Sequence, residues 1–435
     1  MQNTVKRNIL FLLLMLIMRL LIPHCASAHA SFPEIGAESA LLIEAKSGKV
    51  LYEKNPDAKV FPASTTKVMT AILAIERLDL NKEIIVPTNI GQADGSAMYL
   101  LPGERFTVKE LLQGLMIKSA NDAAVLLARE ISGDVNKFSE LMNEEAKKLG
   151  CKNTNFVNPN GLHDENHYTT ARDMALISQE AMKSEVFREL VSTVRVTFDE
   201  TEQTPEKRYF LNTNRFLWDE SKLIINDEYI PIKYDVINGV KTGYTPEAKN
   251  CLVSSGVKNG IELISLVYLA NGFEMYRDSR LILDYGFEHY VSKTVIEKNK
   301  VLGKLEMKHT VPGFLEYYAQ DEHTVVYNKT EKPQAQTEVL MDEFKLPVLK
   351  DSKIGELKLS FAGETIQVPL YASNDLESIF TVKYFRQWVI ENKIIVSGIA
   401  LCVILLIITL FVIFRLSSDK RRRRKKHIKR YNNLY

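Results

Sequence analysis

A serine and a lysine three residues apart begin the strongest chemical pattern in this 435-residue chain. The segment Pro62-Ala-Ser64-Thr-Thr-Lys67 stands at the start of an apolar stretch with helical spacing, and residues three apart on a helix share a face. A serine hydroxyl is a poor nucleophile near neutral pH and needs a base within hydrogen-bond reach. Lys67 can be that base if burial and a nearby positive charge keep its amine neutral. Taken alone, the pair is more typical of a helix cap and a solvated lysine.

Two further short motifs follow in order. Ser119-Ala-Asn121 is predicted at a junction of two helices, where it offers a hydroxyl for proton relay and an amide for a substrate peptide group. Lys241-Thr-Gly243 is predicted on a strand, where a cation and a hydroxyl can meet a substrate carboxylate and glycine lets a ligand backbone approach. Each motif is common by itself, so the chemical argument depends on their combination.

The elements that must position these motifs show both helical and strand patterns. Helical periodicity or a capping pattern predicts helices at 64–76, from 107, at 123–131 and at 138–149. Period-2 patterns predict a hairpin over 40–52 and later strands at 236–244, 252–255 and 263–269, the last two joined by an Asn-Gly turn. Strands on both sides of a helical middle predict an α+β domain, with one antiparallel sheet covered by helices.

Changes in composition divide the chain into six expected segments. Residues 1–30 have the basic, apolar and small-residue order of a signal peptide, with cleavage after Ala28 or Ala30; an uncleaved anchor stays open because Arg19 interrupts the apolar run. The other expected segments are a catalytic domain at 31–290, a small all-β domain at 291–378, a juxtamembrane linker at 379–393, a transmembrane helix at 394–414 and a basic cytoplasmic tail at 415–435.

The two ends of the chain are basic and its body is acidic. Residues 31–414 hold 43 Lys and Arg against 53 Asp and Glu, a formal charge of −10, which argues against nucleic acid as a partner. Ile394–Phe414 are 21 residues without a charge, enough to cross a membrane, and ten basic residues follow. The positive-inside rule predicts a cytoplasmic tail, and the signal peptide predicts a body on the outside.

The cysteines and histidines give no sign of a metal site. Cys151 and Cys251 are the cysteines of the expected exported body, too few for a disulfide framework, and one bridge between them stays open. His163 and His167 lie in a polar loop and are interpreted as structural or solvated. No metal and no cofactor is therefore expected.

Together, the three motifs resemble the active-site signature of penicillin-binding proteins and class A β-lactamases. The longer stretches Pro62–Ala71, Lys118–Ala124 and Gly239–Thr245 are similar to the low-molecular-mass penicillin-binding proteins, the serine-type D-alanyl-D-alanine carboxypeptidases. The resemblance covers roughly residues 35 to 375. It implies a DD-peptidase or β-lactamase-like domain of antiparallel sheet and helical cluster, then a small all-β domain and a C-terminal transmembrane helix.

The resemblance also implies which residues carry out the reaction. Ser64 would be the nucleophile that forms the acyl-enzyme, Lys67 would accept its proton, and Ser119 would relay protons. The backbone N–H groups of Ser64 and Tyr244 would form the oxyanion hole. Relatives carry an arginine shortly before the Asp284–Phe287 segment, and Arg277 is the matching candidate.

Substrate binding is implied for a second group of motif residues. Asn121 would bind the substrate backbone, and Lys241 with Thr242 would hold its terminal carboxylate. Gly243 and Tyr244 would complete the strand beside the ligand. The implied partners are a peptidoglycan stem peptide as substrate, β-lactams as inhibitors and the bacterial cell membrane through the C-terminal helix.

The implied activity is removal of the terminal D-alanine from peptidoglycan stem pentapeptides. A β-lactamase or a transpeptidase with the same motifs is an alternative, as is a catalytically silent, membrane-anchored wall-binding protein. Class A β-lactamases carry a Glu-x-x-Leu-Asn segment between the second and third motifs, and residues 122–240 contain none. The catalytically silent alternative is disfavoured, because a protein without catalytic activity would have no need for Ser64, Lys67, Ser119 and Lys241 together.

Overall fold

The computed structural model describes residues 32–90 and 94–431, with side chains described as far as Arg422. The expected signal peptide at 1–30 lies outside the described residues. The chain forms two compact units, the first ending at residue 293 but including 324–332, and the second comprising 294–323 and the residues from 333 onward. The segment 324–332 therefore returns to the first unit after the chain has left it.

The first unit contains a central sheet and a set of helices. Its strands are β1 (Ser39–Glu44), β2 (Val50–Lys54), β3 (Glu83–Ile85), β4 (Arg105–Thr107), β5 (Arg195–Phe198), β6 (Arg208–Leu211), β7 (Lys222–Ile225), β8 (Glu228–Pro231), β9 (Ile237–Thr245), β10 (Lys249–Lys258) and β11 (Ile261–Ala270). Its helices are α1 (Lys67–Arg77), α2 (Val108–Gln113), α3 (Asn121–Ser132), α4 (Val135–Lys148), α5 (Ala171–Ala181), α6 (Glu185–Ser192) and α7 (Glu274–His289). The central sheet is antiparallel, in the order β2-β1-β11-β10-β9.

Alternation of side chains gives the sheet two apolar faces. Leu41 and Ile43 of β1 pack in the core formed by helices α1 to α6, whereas Leu42 packs in the core formed with α7. The turn between β10 and β11 has positive φ at Asn259 (52°) and Gly260 (78°), as a type I′ hairpin requires. The α+β architecture expected from the sequence is confirmed.

Helix α1 begins later than its sequence pattern predicts. Ala63–Thr66 form a 3₁₀ turn and the α-helix starts at Lys67. The backbone is crowded at this turn, because a Cβ on Gly161 would lie 1.8 Å from the Ala63 carbonyl oxygen, and one on Gly243 would lie 3.0 Å from the Ser64 nitrogen. Close approach of three chain segments therefore sets the start of α1.

The second unit is all-β apart from its C-terminal helices. After β12 (Tyr290–Ile296), the strands are β13 (Val301–Glu306), β14 (Thr310–Val311), β15 (Phe314–Tyr318), β16 (His323–Asn328, which joins the first unit from residue 324), β17 (Gln336–Met341), β18 (Lys353–Phe361), β19 (Glu364–Ala372) and β20 (Glu377–Ser378). A sheet in the order β13-β15-β19-β18-β17 encloses a core that includes Leu315, Ile354 and Leu370.

Two helices end the chain. The first, α8 (Val382–Glu391), buries none of its residues, and the second, α9 (Lys393–Tyr431), is 39 residues long. Within the described part of the chain, α9 is the one helix long and apolar enough to cross a membrane; this stretch covers residues 393–422 and contains an 18-residue window with a mean hydropathy of 3.1.

The two cysteines in the described part of the first unit are not bridged. Cys151 and Cys251 are both free thiols, so the bridge that the sequence left open does not form. Burial raises the pKa of each thiol to about 12.

A buried carboxylate joins the segment before β4 to the loop between β5 and β6. Glu104, 1% exposed, accepts hydrogen bonds from the Leu101 N–H at 2.7 Å and from the Thr201 and Thr204 hydroxyls at 2.6 and 2.9 Å, and it pairs with Arg208. Burial favours the protonated form, but these hydrogen bonds and Arg208 hold the pKa of Glu104 below its ordinary value. The carboxylate is therefore charged in the folded protein at neutral pH.

Glu104→Gln should lower the free energy of unfolding by about 3 kcal/mol at pH 7, because it leaves Arg208 without its counter-charge. The deficit should shrink as the pH falls through the folded-state pKa of Glu104, where the parent protein also loses the charge. Urea denaturation measures both effects. The matched control is Glu83→Gln, whose side chain is 63% exposed and 3.9 Å from Arg105; it should change stability by less than about 0.5 kcal/mol. Equal losses in the two variants would contradict the assignment.

Candidate active site

A cleft of about 470 Å³ in the first unit brings the three sequence motifs together. Six residues that the sequence singled out line it: Ser64, Ser119, Asn121, Thr242, Gly243 and Tyr244. Lys67 and Lys241 lie behind the cleft wall, at 0% and 1% exposure. The fold thus gathers all eight residues around one cavity.

The first motif provides a serine in direct contact with a buried amine. Lys67 Nζ lies 2.9 Å from Ser64 Oγ and donates a hydrogen bond to the Asn160 carbonyl oxygen at 2.6 Å. Ser64 belongs to the 3₁₀ turn and Lys67 is the first residue of α1, so the three-residue spacing keeps the two side chains on one side. The separation of Oγ and Nζ is within the range for direct proton transfer.

Two buried lysines make this region unfavourable for positive charge. Burial and the nearby Lys241 hold the pKa of Lys67 well below its ordinary value, with Asp122 opposing the shift. Burial also lowers the pKa of Lys241, to about 7. Burial and a neighbouring like charge both favour the neutral form of the Lys67 amine, in which its nitrogen lone pair can accept a proton.

The second motif presents a hydroxyl and an unpaired acceptor. Ser119 follows a π-helical turn in the left-handed conformation, with φ of 66°, and α3 begins two residues later at Asn121. Asn121 Nδ2 donates to the Asp94 carbonyl oxygen at 2.5 Å. Its Oδ1 is buried and has no partner within residues 32–90 and 94–422. This oxygen can accept a hydrogen bond from a bound peptide N–H.

The third motif forms a cluster of donors at the edge strand β9. Lys241 Nζ donates to the Thr242 carbonyl oxygen at 3.0 Å and lies 3.5 Å from Thr213 Oγ1. The Thr242 hydroxyl donates to the same Thr213 oxygen at 2.8 Å. An ammonium and two hydroxyls in one place are suited to a carboxylate. Tyr244, 63% exposed, follows on the same strand.

Residues that the sequence interpretation missed complete the cleft. Tyr276 of α7 accepts a hydrogen bond from the Arg215 N–H at 3.1 Å and donates to the Thr213 carbonyl oxygen at 3.3 Å, and so fixes the segment that carries both. The Arg215 guanidinium lies 4.5 Å from the Phe273 ring centroid and pairs with Asp219. Arg215 lines the cleft and adds a cation there.

The arginine that the resemblance pointed to lies elsewhere. Arg277 pairs with Asp278 at 3.3 Å and does not line the cleft, whereas Arg215 does. The sequence holds no local signal for Arg215, because its position depends on a contact with Tyr276, 61 residues away.

Comparison with known proteins decides the family. The model of the D-alanyl-D-alanine carboxypeptidase family matches residues 26–272, and that of the penicillin-binding protein 5 C-terminal domain matches residues 290–378. The chain belongs to the D-alanyl-D-alanine carboxypeptidase family. The resemblance drawn from the motifs is thereby confirmed, together with the serine-type hydrolase class.

The relatives of this carboxypeptidase family member cover both units. D-alanyl-D-alanine carboxypeptidase DacF of Bacillus subtilis is 34% identical, over 81% of this chain and 88% of its own length. DacA of Haemophilus influenzae is 30% identical, over 79% and 86%. The crystal structure of penicillin binding protein 5 from Haemophilus influenzae superimposes with a TM-score of 0.65 at 28% identity, over 80% of this chain and 99% of that one.

Lys67→Met should change stability in a pH-dependent way that reports the burial of the amine. In the unfolded chain Lys67 is protonated at any pH below its ordinary pKa. Folding buries the amine and removes this proton, which costs free energy at neutral pH. Methionine carries no proton, so the variant does not have this cost. The Tm of the variant relative to the parent should therefore fall as the pH rises from 6 towards about 10, by about 2–4 °C for each kcal/mol. Scanning calorimetry measures the difference.

The control for this prediction is an exposed lysine. Lys82→Met removes a side chain that is 50% exposed and paired with Glu130. Its Tm difference from the parent should stay nearly constant between pH 6 and 10. A Lys67→Met difference that is equally flat would show that the amine is not neutralised by folding.

Proposed function

We propose that this carboxypeptidase removes the terminal D-alanine from peptidoglycan stem peptides through an acyl-enzyme on Ser64. The observation that carries the proposal is the 2.9 Å contact between Ser64 Oγ and the buried Lys67 Nζ at the wall of an open cleft. The relatives in Bacillus subtilis and Haemophilus influenzae are D-alanyl-D-alanine carboxypeptidases by name, which supports D-Ala-D-Ala peptides as the substrate class.

Acylation would proceed by attack of Ser64 on the substrate. Ser64 Oγ bonds to the carbonyl carbon of the penultimate D-alanine while Lys67 accepts the hydroxyl proton. The backbone N–H groups of Ser64 and Tyr244 are proposed to stabilise the oxyanion. The peptide C–N bond then breaks, and the proton passes to the leaving amine through Ser119, so that free D-alanine departs.

Deacylation would reuse the same groups. A water molecule adds to the ester carbonyl and gives its proton to Lys67, the bond between Ser64 Oγ and the carbonyl carbon breaks, and the proton returns to Ser64. The shortened stem peptide leaves with a new carboxylate.

Binding of the substrate is assigned to the rest of the cleft. Lys241, Thr242 and Thr213 are proposed to hold the terminal carboxylate, which would keep Lys241 protonated despite its lowered pKa. Asn121 Oδ1 would accept from a substrate N–H. Gly243 lines the cleft, and its lack of a side chain lets β9 approach the turn that carries Ser64.

A transpeptidase is the second candidate. The structure of the Streptomyces K15 DD-transpeptidase superimposes with a TM-score of 0.54 at 30% identity, over 59% of this chain and 99% of that one. Transpeptidation shares the acylation step but passes the acyl group to an amine instead of water. The alternatives therefore differ in the fate of the acyl-enzyme.

Ser64→Ala should abolish both D-alanine release and covalent labelling by penicillin, with peptide turnover reduced by at least about 10³-fold. The measurement is mass spectrometry of the protein and of a pentapeptide ending in D-Ala-D-Ala. Ser192→Ala, at an exposed position at the end of α6, is the control and should retain both activities. Labelling of Ser64→Ala would place the nucleophile at another residue.

The same assay separates the alternatives. A carboxypeptidase turns over the peptide many times while its penicilloyl adduct persists, since no deacylating Glu-x-x-Leu-Asn segment is present at 122–240. Rapid loss of the adduct without peptide turnover would indicate a β-lactamase. Transfer of the acyl group to an added amine in preference to water would indicate a transpeptidase, and an unlabelled parent protein would indicate a silent one.

We propose that α9 anchors the enzyme in a bacterial cell membrane, with the body outside and the tail at 415–435 in the cytoplasm. The support is the uncharged run 394–414 within the apolar part of α9, followed by the basic tail. The match of the C-terminal domain model to 290–378 supports the proposed limits of the second domain, 291–378.

A chain that ends at Lys393 should be released into the medium and should keep the catalytic activity, because Ser64 through Tyr244 lie about 150 or more residues upstream. Fractionation of cells followed by penicillin labelling measures both properties, with the full chain as the membrane-bound control. Complete retention of the truncated chain in the membrane fraction would show that another segment, such as 1–30, is the main anchor.

A further inference from the structure

A histidine lies buried directly behind the Ser64–Lys67 pair. The sequence interpretation left a structural and a solvated role open for His167; the ring is 2% exposed, which excludes the solvated role, and its Nε2 lies 2.8 Å from Thr66 Oγ1. Thr66 is fully buried and immediately precedes Lys67, at the N-terminus of α1. His167 therefore contacts the turn that carries the proposed nucleophile and base.

The hydrogen bonds of the ring determine its tautomer. The Val157 backbone N–H points at His167 Nδ1 at 3.0 Å, so Nδ1 must be the acceptor. A neutral ring then carries its proton on Nε2 and donates it to Thr66 Oγ1. An imidazolium would direct a second N–H against that of Val157, so the geometry selects the neutral ring.

The electrostatic surroundings agree with this choice. Burial lowers the pKa of His167 to about 4, against the opposing charge of Asp164. The Phe156 ring packs against the imidazole at 5.6 Å between centroids. The ring is therefore neutral near pH 7, with its single proton on Nε2.

Three hydrogen bonds connect the loop that ends at His167 to the N-terminal part of α1. Lys67 Nζ donates to the Asn160 carbonyl oxygen at 2.6 Å, and the Thr70 hydroxyl donates to the Pro159 carbonyl oxygen at 2.6 Å. The His167–Thr66 hydrogen bond is a third attachment, one residue before Lys67. The same loop lines the cleft with Asn160 and its neighbours.

We propose that His167 is a positioning residue for acylation: as a neutral donor to Thr66, it fixes the N-terminal turn of α1 and so holds Lys67 Nζ between Ser64 Oγ and the Asn160 carbonyl. The inference rests on the proposed roles of Ser64 and Lys67. A side chain outside the three motifs would thus place the base relative to the nucleophile.

The test removes this hydrogen bond from both sides. His167→Phe keeps a ring but no polar atom, and Thr66→Val keeps the shape but no hydroxyl. Each should slow acylation by penicillin about 10- to 100-fold and lower kcat on a D-Ala-D-Ala peptide to a similar extent, with KM changed less than threefold. The double variant should be no slower than the slower single variant, because both changes remove the same bond.

Rescue distinguishes positioning from a purely structural role. His167→Gln can still donate from its amide nitrogen to Thr66 and should regain most of the acylation rate, whereas His167→Asn is too short to reach and should not. His163→Phe, in the same loop, is the matched control and should acylate at the parental rate within twofold.

Several outcomes would overturn the proposal. These are a parental acylation rate in Thr66→Val, additive losses in the double variant, or a loss in His167→Phe that His167→Gln does not reverse. Thr66→Val keeps the test valid if the histidine variants fail to fold. Absence of Ser64 labelling in the parent protein would instead refute the proposed function, so the two failures are distinguishable.

Discussion

Burial of the Lys67 amine is the constraint on which the first unit depends. Lysine is rarely buried without a carboxylate partner, yet Lys67 Nζ contacts a serine hydroxyl and a backbone carbonyl oxygen. Every residue of α1 from Lys67 to Ala74 is buried, which requires helices on one side and the sheet on the other. The helical half of the fold thereby isolates one amine from water, and Lys241 on β9 adds the like charge that disfavours its protonation.

Placement of these groups depends on how closely backbones approach each other. The 3₁₀ turn at Ala63–Thr66 lies against Gly161 and Gly243, and a methyl group at Gly161 would reach 1.8 Å from the Ala63 carbonyl oxygen. Gly161 also has φ of 82°, a conformation that other residues rarely adopt. Two glycines therefore allow the nucleophile to sit between a loop and a strand, and larger residues would force these segments apart.

The sequence revealed those parts of the molecule that depend on residue type. Periodicity located the five strands of the central sheet and helices α1 to α4, and residue type located the three motifs, because these patterns are local; helices α5, α6 and α7 were not predicted. Asn160 was not identified as a contact of Lys67, since it acts through a carbonyl that every residue has. Thr213 and Arg215 lie beside the third motif only because Tyr276 holds their segment from 61 or more positions away. The start of α1 was placed too early because crowding, and not propensity, determines it.

Strand β9 ends the central sheet, so one row of its backbone groups has no neighbour within that sheet. An open strand edge is a general aggregation hazard, because a strand from another molecule can pair with it. Here Lys241 directs a buried amine inward at the middle of the strand. An inward-pointing charged side chain is a recognised protection against such pairing. The lysine that the proposed function assigns to the substrate carboxylate therefore also disfavours pairing of β9 with a strand of another molecule.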